Sequence, residues 1–135
     1  MGETAFGTGV EMKKKRSLKA LKRDLDERFS VWVRQGKGLL VDYNECVTCG
    51  VEKDWRDLHA GHFIPRQYTA TRYDPRNVWP QCPRCNTFRH GALTEYTLFM
   101  IKTYGQSVVD ELLQAKHKTV KMTRSDYEEL LAKYS

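Results

Sequence analysis

Two Cys-x-x-Cys pairs, Cys46 with Cys49 in ECVTCG and Cys82 with Cys85 in QCPRCN, account for all four cysteines of the chain. Zinc takes four sulfur or nitrogen ligands in a tetrahedron at ~2.3 Å, and each Cys-x-x-Cys turn sets two thiolates on one ion. The pairs therefore predict a single closed, structural Zn2+ site. A thioredoxin-like redox role is read from one pair in a βαβ setting; two pairs and no βαβ pattern argue against it. Such a site contributes on the order of 10 kcal/mol to folding, a large share of the stability of so short a chain. The 32 residues between Cys49 and Cys82 exceed what a minimal ribbon needs, so a further unit is inserted between the knuckles.

That insertion carries residues able to do more than bind zinc. His62, placed on a strand, offers a neutral imidazole that takes a proton from water near neutral pH. Asn86 directly follows Cys85. At a helix start it can hold a divalent ion against a phosphate, where the ion stabilises charge building on the leaving oxygen. Asn77, just before the second strand, can bond backbone groups and fix the loop beside the histidine. The bland readings are a hydrogen-bonded hairpin histidine, a helix-capping asparagine and a turn asparagine. His117, in a basic polar stretch, is assigned no chemistry.

The elements that must position these groups follow from periodicity and punctuation. Residues 1–16 mix glycine, threonine and a KKKR run and read as a mobile basic tail. The remainder, 17–135, reads as one domain. Leu18, Leu21, Leu25, Phe29 and Trp32 recur at three- and four-residue steps, which predicts an amphipathic helix capped by Ser17 and ending before QGKG. A short strand leads into the first knuckle, a strand spans 56–64 as far as Pro65, and the segment around Asp74-Pro75 reads as loop. Beyond Cys85 the pattern is helical, with Leu93, Tyr96, Met100 and Tyr104 on one face and Gly105 as a stop. Two more helices follow, over QSVVDELLQAKH and from Ser125 to about Ala132. The predicted layout is a helix at 17–35, a zinc-bound core at 45–92 and C-terminal helices over 93–135, an α+β arrangement. Trp55 and Trp79, beside the knuckles, are assigned to the core.

Lys and Arg outnumber Asp and Glu by 23 to 17, giving a formal net charge of +6 and a pI near 9.2, so a polyanion is a natural partner. No apolar run approaches the ~18 residues of a membrane span, and no signal peptide is legible at the N-terminus. The expectation is a cytoplasmic protein. Arg66, Arg72, Arg76, Arg84 and Arg89 crowd the candidate site and read as contacts to a DNA backbone. Tyr68 and Tyr73 are candidates to stack on an unpaired base.

The segment GHFIP…DPRNVWPQCPRCN resembles the signature of HNH, or ββα-metal, nucleases. Asparagine in place of the final histidine is similar to the variant in recombination endonuclease VII. The closer similarity is to the phage NinG (Rap) family of recombination nucleases, through HAGH at His59–His62, QC-x-x-CN at Gln81–Asn86 and a helix over Tyr104–Leu112. It covers roughly residues 45–113. The resemblance implies a zinc-stapled ββα-metal core and a structure-selective endonuclease acting on branched recombination intermediates such as Holliday junctions, in the host cytoplasm if phage-encoded. It further implies His62 as general base, Asn77 as orienting residue and Mg2+ or Mn2+ at Asn86, and it allows a homodimer. Many HNH enzymes place a metal-binding aspartate just before the base, where this chain has Gly61. His59 is the first candidate to replace it, and Asp57 also falls on that strand face. His90, four residues after Asn86, would share its helix face. The alternative is a non-catalytic zinc-stapled DNA-binding module.

Overall fold

A computed structural model describes residues 15–135, so the expected basic tail lies outside the described residues except for Lys15 and Arg16. Helix α1 runs over Leu18–Arg34, its first turn closed by Ser17, whose side chain accepts from the Ala20 amide. Leu21, Leu25, Phe29 and Val33 fall at four-residue steps and are all buried. Each such side chain gains roughly 1.5–3 kcal/mol on leaving water, which makes this face the main anchor of the helix.

Strands β1 (Tyr43–Glu45) and β2 (Glu52–Asp54) form an antiparallel hairpin with Glu45 opposite Glu52. The first cysteine pair sits in its turn. Gly50 adopts a φ of +82° there, a region that favours glycine because it lacks a Cβ. The strand expected over 56–64 is shorter. A 3-10 turn occupies Trp55–Asp57, and β3 is His59–His62 alone. Asp57 is thus exposed on a turn, away from the strand face on which it was placed as a metal ligand.

Strand β3 pairs antiparallel with β4 (Val78–Gln81), His59 opposite Gln81 and His62 opposite Val78. One turn of helix, α2 (Thr69–Arg72), lies in the connection expected to be loop. The second knuckle leads into a π-helical turn at Arg84–Phe88, followed by α3 (Leu93–Tyr104), α4 (Gln106–Ala115) and α5 (Arg124–Lys133). Gly105, at φ +90°, separates α3 from α4 as expected. Thr123 begins α5 with a capping box to Asp126. No helix among the described residues is long and apolar enough to cross a membrane.

Both faces of the β3–β4 ribbon are covered. On one face α1 and α5 pack Leu25, Phe29, Tyr127, Leu131 and Tyr134 around Val78, with Phe29 edge-on to Tyr134 at 5.0 Å. On the other, α3 and α4 contribute Tyr96, Met100, Val109 and Leu112 against Phe63 and Ile64. A small third cluster joins the cysteines to Leu58 and Ala92. Trp79 flanks the second core with Phe99 edge-on at 5.1 Å. Trp55 instead lies half-buried between the guanidiniums of Arg34 and Arg56.

Candidate functional site

The ligand atoms of Cys46, Cys49, Cys82 and Cys85 all lie within 4.8 Å of one another. Cys49 Sγ is 3.7 Å from Cys82 Sγ, close to the ~3.8 Å that a tetrahedral ion with 2.3 Å bonds imposes on two sulfurs. Burial disfavours ionisation of Cys46. The Thr48 hydroxyl at 3.2 Å and nearby backbone amides outweigh it and bring the thiol down to about 6. Burial pushes the Cys49 and Cys85 thiols the other way, and held together the four sulfurs suit one thiophilic divalent ion such as Zn2+.

Strand alternation divides the other candidates. His59 and Gly61 face the side of the ribbon shared with Trp79 and Gln81, whereas Ala60 and His62 face the side covered by α1. On the first side, Asn86 Nδ2 donates to His59 Nδ1 at 3.0 Å. These two groups come together from 27 residues apart. His90 does not join them. It leaves the π-helical turn with φ +51° and is exposed, so no continuous helix carries Asn86 and His90 on one face.

Gly61 has a structural reason that the sequence did not reveal. A Cβ there would meet Gln81 Oε1 at 2.1 Å and its Cδ at 2.7 Å. The Gln81 side chain is fully buried, and its Nε2 donates to Thr48 Oγ1 at 3.1 Å and to the Gly91 carbonyl at 2.9 Å. A glutamine from the facing strand thus occupies the space of a side chain at 61, and ties the first knuckle to the turn beyond Asn86. The buried polar residue before a knuckle was the only local signal.

On the α1 side, His62 Nε2 donates to the Arg72 carbonyl at 3.0 Å. A carbonyl only accepts, so Nε2 carries the proton and Nδ1 keeps its lone pair. Burial lowers the His62 pKa, the charges of Arg66 and Arg72 lower it further, and the bond to Arg72 opposes them. The imidazole is therefore held neutral near pH 7. It borders a cavity of about 80 Å³ lined also by Asp26, Ser30, Arg66 and Tyr73, enough for one or two waters at ~30 Å³ each.

Asn77 is fully buried between the strands. Its Oδ1 accepts from the Ile64 amide at 2.7 Å, and its Nδ2 donates to the carbonyls of Ile64 at 3.0 Å and Thr71 at 3.1 Å. The side chain clamps the chain that leaves β3 to the segment entering β4, so the position of His62 depends on it.

The arginines are less available than their number suggests. Arg72, expected on a DNA backbone, is only 10% exposed in its side chain and forks onto Asp26 at 3.0 and 2.7 Å. Asp26, on α1, was not anticipated. Burial opposes its ionisation, but hydrogen bonds from Arg72 and Tyr73 and the charges of Arg72 and Arg66 hold it below the usual carboxylate range. Arg66 also reaches Asp26, Arg76 pairs with Asp74 and Glu111, and Arg89 pairs with Glu95. Arg84 is exposed and makes none of the ion pairs found among the described residues. Tyr73 is buried with its hydroxyl on Asp26, and Tyr68 is half-buried against the second core. Tyr73 is therefore not free to stack on a base.

These features define a small α+β protein built on two antiparallel ribbons and a cluster of four cysteines able to hold one metal ion. The chain belongs to the NinG family: residues 9–135 match the family described as Bacteriophage Lambda NinG protein. It is 31% identical over 130 residues to Protein ninG of Escherichia phage 933W, covering 89% of this chain and 62% of that protein. It is 30% identical over 127 residues to Protein ninG of Salmonella phage P22, covering 87% of this chain and 60% of that one. The chain thus spans about three-fifths of the length of these curated relatives. No solved structure gives a significant match.

Proposed function

We propose that the protein is a metal-dependent, structure-selective DNA endonuclease that hydrolyses phosphodiester bonds in branched recombination intermediates, with β3, β4 and the Asn86 turn as its HNH-like ββα-metal core. The observation that carries this reading is the His59–Asn86 pair. Two ligands at ~2.1 Å from an octahedral ion stand about 3.0 Å apart, the separation found between Asn86 Nδ2 and His59 Nδ1. Rotating the Asn86 amide presents Oδ1 in place of Nδ2, so the pair then offers one oxygen and one nitrogen. The amide oxygen suits Mn2+ or Mg2+, and the softer imidazole leaves a transition metal open as well. A divalent ion bound there supplies positive charge to a leaving oxygen.

His62 contributes the base. Its Nδ1 lone pair removes a proton from water while Nε2 stays bonded to the Arg72 carbonyl, and Asn77 holds the strand end that presents it. His59 and His62 sit on opposite ribbon faces, with Cα atoms about 10 Å apart at ~3.3 Å per strand residue. In-line displacement sets the attacking and leaving oxygens on opposite sides of phosphorus, so base and ion are required to approach from two sides. DNA is the partner, with a homodimer as the form that would act on both arms of a junction.

The separation of His62 from the pair also favours a second reading, a zinc-stapled DNA-binding module without catalysis. Cleavage of duplex, single-stranded, flap and four-way-junction DNA by zinc-loaded protein, with Mg2+, Mn2+ or no added divalent ion, decides between them. Metal-dependent cutting abolished by His62→Ala, with DNA binding retained, is the expected result. Tight binding without cutting in any metal would leave the binding module.

A further inference from the structure

We propose that Phe88 is a specificity-determining residue that stacks on an unpaired nucleobase where a DNA strand leaves the duplex; this rests on the endonuclease reading above. Phe88 is 79% exposed, whereas Phe29 and Phe63 are buried and Phe99 packs against the second core. It closes the π-helical turn that carries Asn86, two residues from the side chain paired with His59. π-Helical turns concentrate at functional positions, since the extra residue displaces side chains outward.

The turn is firmly held. Asn86 N donates to the Cys82 carbonyl at 2.9 Å, Arg89 N to Arg84 at 2.9 Å and Gly91 N to Cys85 at 2.8 Å. Gln81 bonds the Gly91 carbonyl from below. An aromatic ring on so fixed a support loses little conformational freedom when a base settles on it. The surroundings suit a polyanion: the exposed Arg84 makes none of the ion pairs found among the described residues, the exposed Arg89 shares its charge with Glu95, and from Cys82 to Ala92 the chain carries no acidic residue. Cations beside an exposed ring are the arrangement that grips single-stranded nucleic acid, phosphates on the guanidiniums and a base on the ring. A fully paired duplex buries its base faces in the stack and offers Phe88 nothing.

The test is binding by zinc-loaded protein with no Mg2+ or Mn2+ added, where no cleavage is expected, to a forked duplex with 2-aminopurine at the first unpaired position and to the same duplex fully paired. Wild type should favour the fork and quench the 2-aminopurine. Phe88→Ala should lose about tenfold in fork affinity and the quenching, with paired-duplex affinity unchanged and the melting temperature within about 2 °C. Phe88→Trp should retain both. Equal fork preference in wild type and Phe88→Ala, or equal loss on both DNAs, would overturn the assignment. So would a change in oligomeric state on Phe88→Ala in sedimentation, which would make the ring a protein contact. Absence of metal-dependent cutting by wild type, with the fork preference still dependent on Phe88, would instead overturn the endonuclease reading and leave the stacking role standing.

Discussion

The side chain of Gln81 fills the place of the side chain that Gly61 lacks, with its Oε1 2.1 Å from where a Cβ on Gly61 would stand. The two residues lie on facing strands, and the glutamine is fixed by two hydrogen bonds to Thr48 and Gly91. The glycine and the glutamine are therefore one structural choice. Gly61→Ala should cost about 1–3 kcal/mol through overpacking, read as a fall in melting temperature. Gly61→Ala combined with Gln81→Ala should be less destabilised than the sum of the single changes, because the second removes what the first collides with. Strict additivity would show that the two side chains do not compete for space.

Asn77→Ala strands the Ile64 amide and the Ile64 carbonyl at once, while the Thr71 carbonyl keeps the Asp74 amide. Each orphaned group costs about 1–3 kcal/mol, so a loss of about 2–4 kcal/mol in urea unfolding is expected. Hydrogen exchange at the Ile64 amide should quicken beyond what the global destabilisation explains.

Metal removal should be the harshest perturbation. Cys46, Cys82 and Cys85 supply three of the five buried residues of the third cluster, and a closed zinc site is itself folding free energy. Elemental analysis should find one zinc per chain. A strong chelator or Cys82→Ser should abolish near-ultraviolet dichroism, and retention of a cooperative melt without zinc would contradict the staple.

The pH dependence has a definite sign. Burial holds the folded-state His62 pKa below the ordinary 6.5, so the basic form persists into mildly acidic solution. Under the proposed endonuclease reading the acid limb of kcat/KM should fall below pH 6.5, and an acid limb above it would exclude His62 as the base. The unfolded chain binds the proton more readily, so stability is lost as pH falls from 6.5 toward the folded pKa. His62→Gln should flatten that part of the stability profile.

Much of this protein is written locally. Paired cysteines two residues apart need only a tight turn to share an ion, so the metal centre is legible before any fold is known. The same holds for α1, where Ser17 and four-residue spacing act within single turns, and for Gly105 between two helices. Strand alternation is also local, and by itself it assigns His59 and His62 to opposite sides once β3 is placed. What lay beyond the sequence depends on partners far along the chain. Asp26 captures Arg72 from 46 residues away, which withdraws an arginine that the sequence placed on a DNA backbone. Gln81 fills Gly61 only because β3 and β4 pair in one register. His90 leaves the helix face because the turn after Cys85 is bound by the second knuckle and Gly91. Residue type and spacing determined which groups can bind metal or move a proton; long-range packing decided which of them meet, because burial, ion pairing and register are properties of two segments at once.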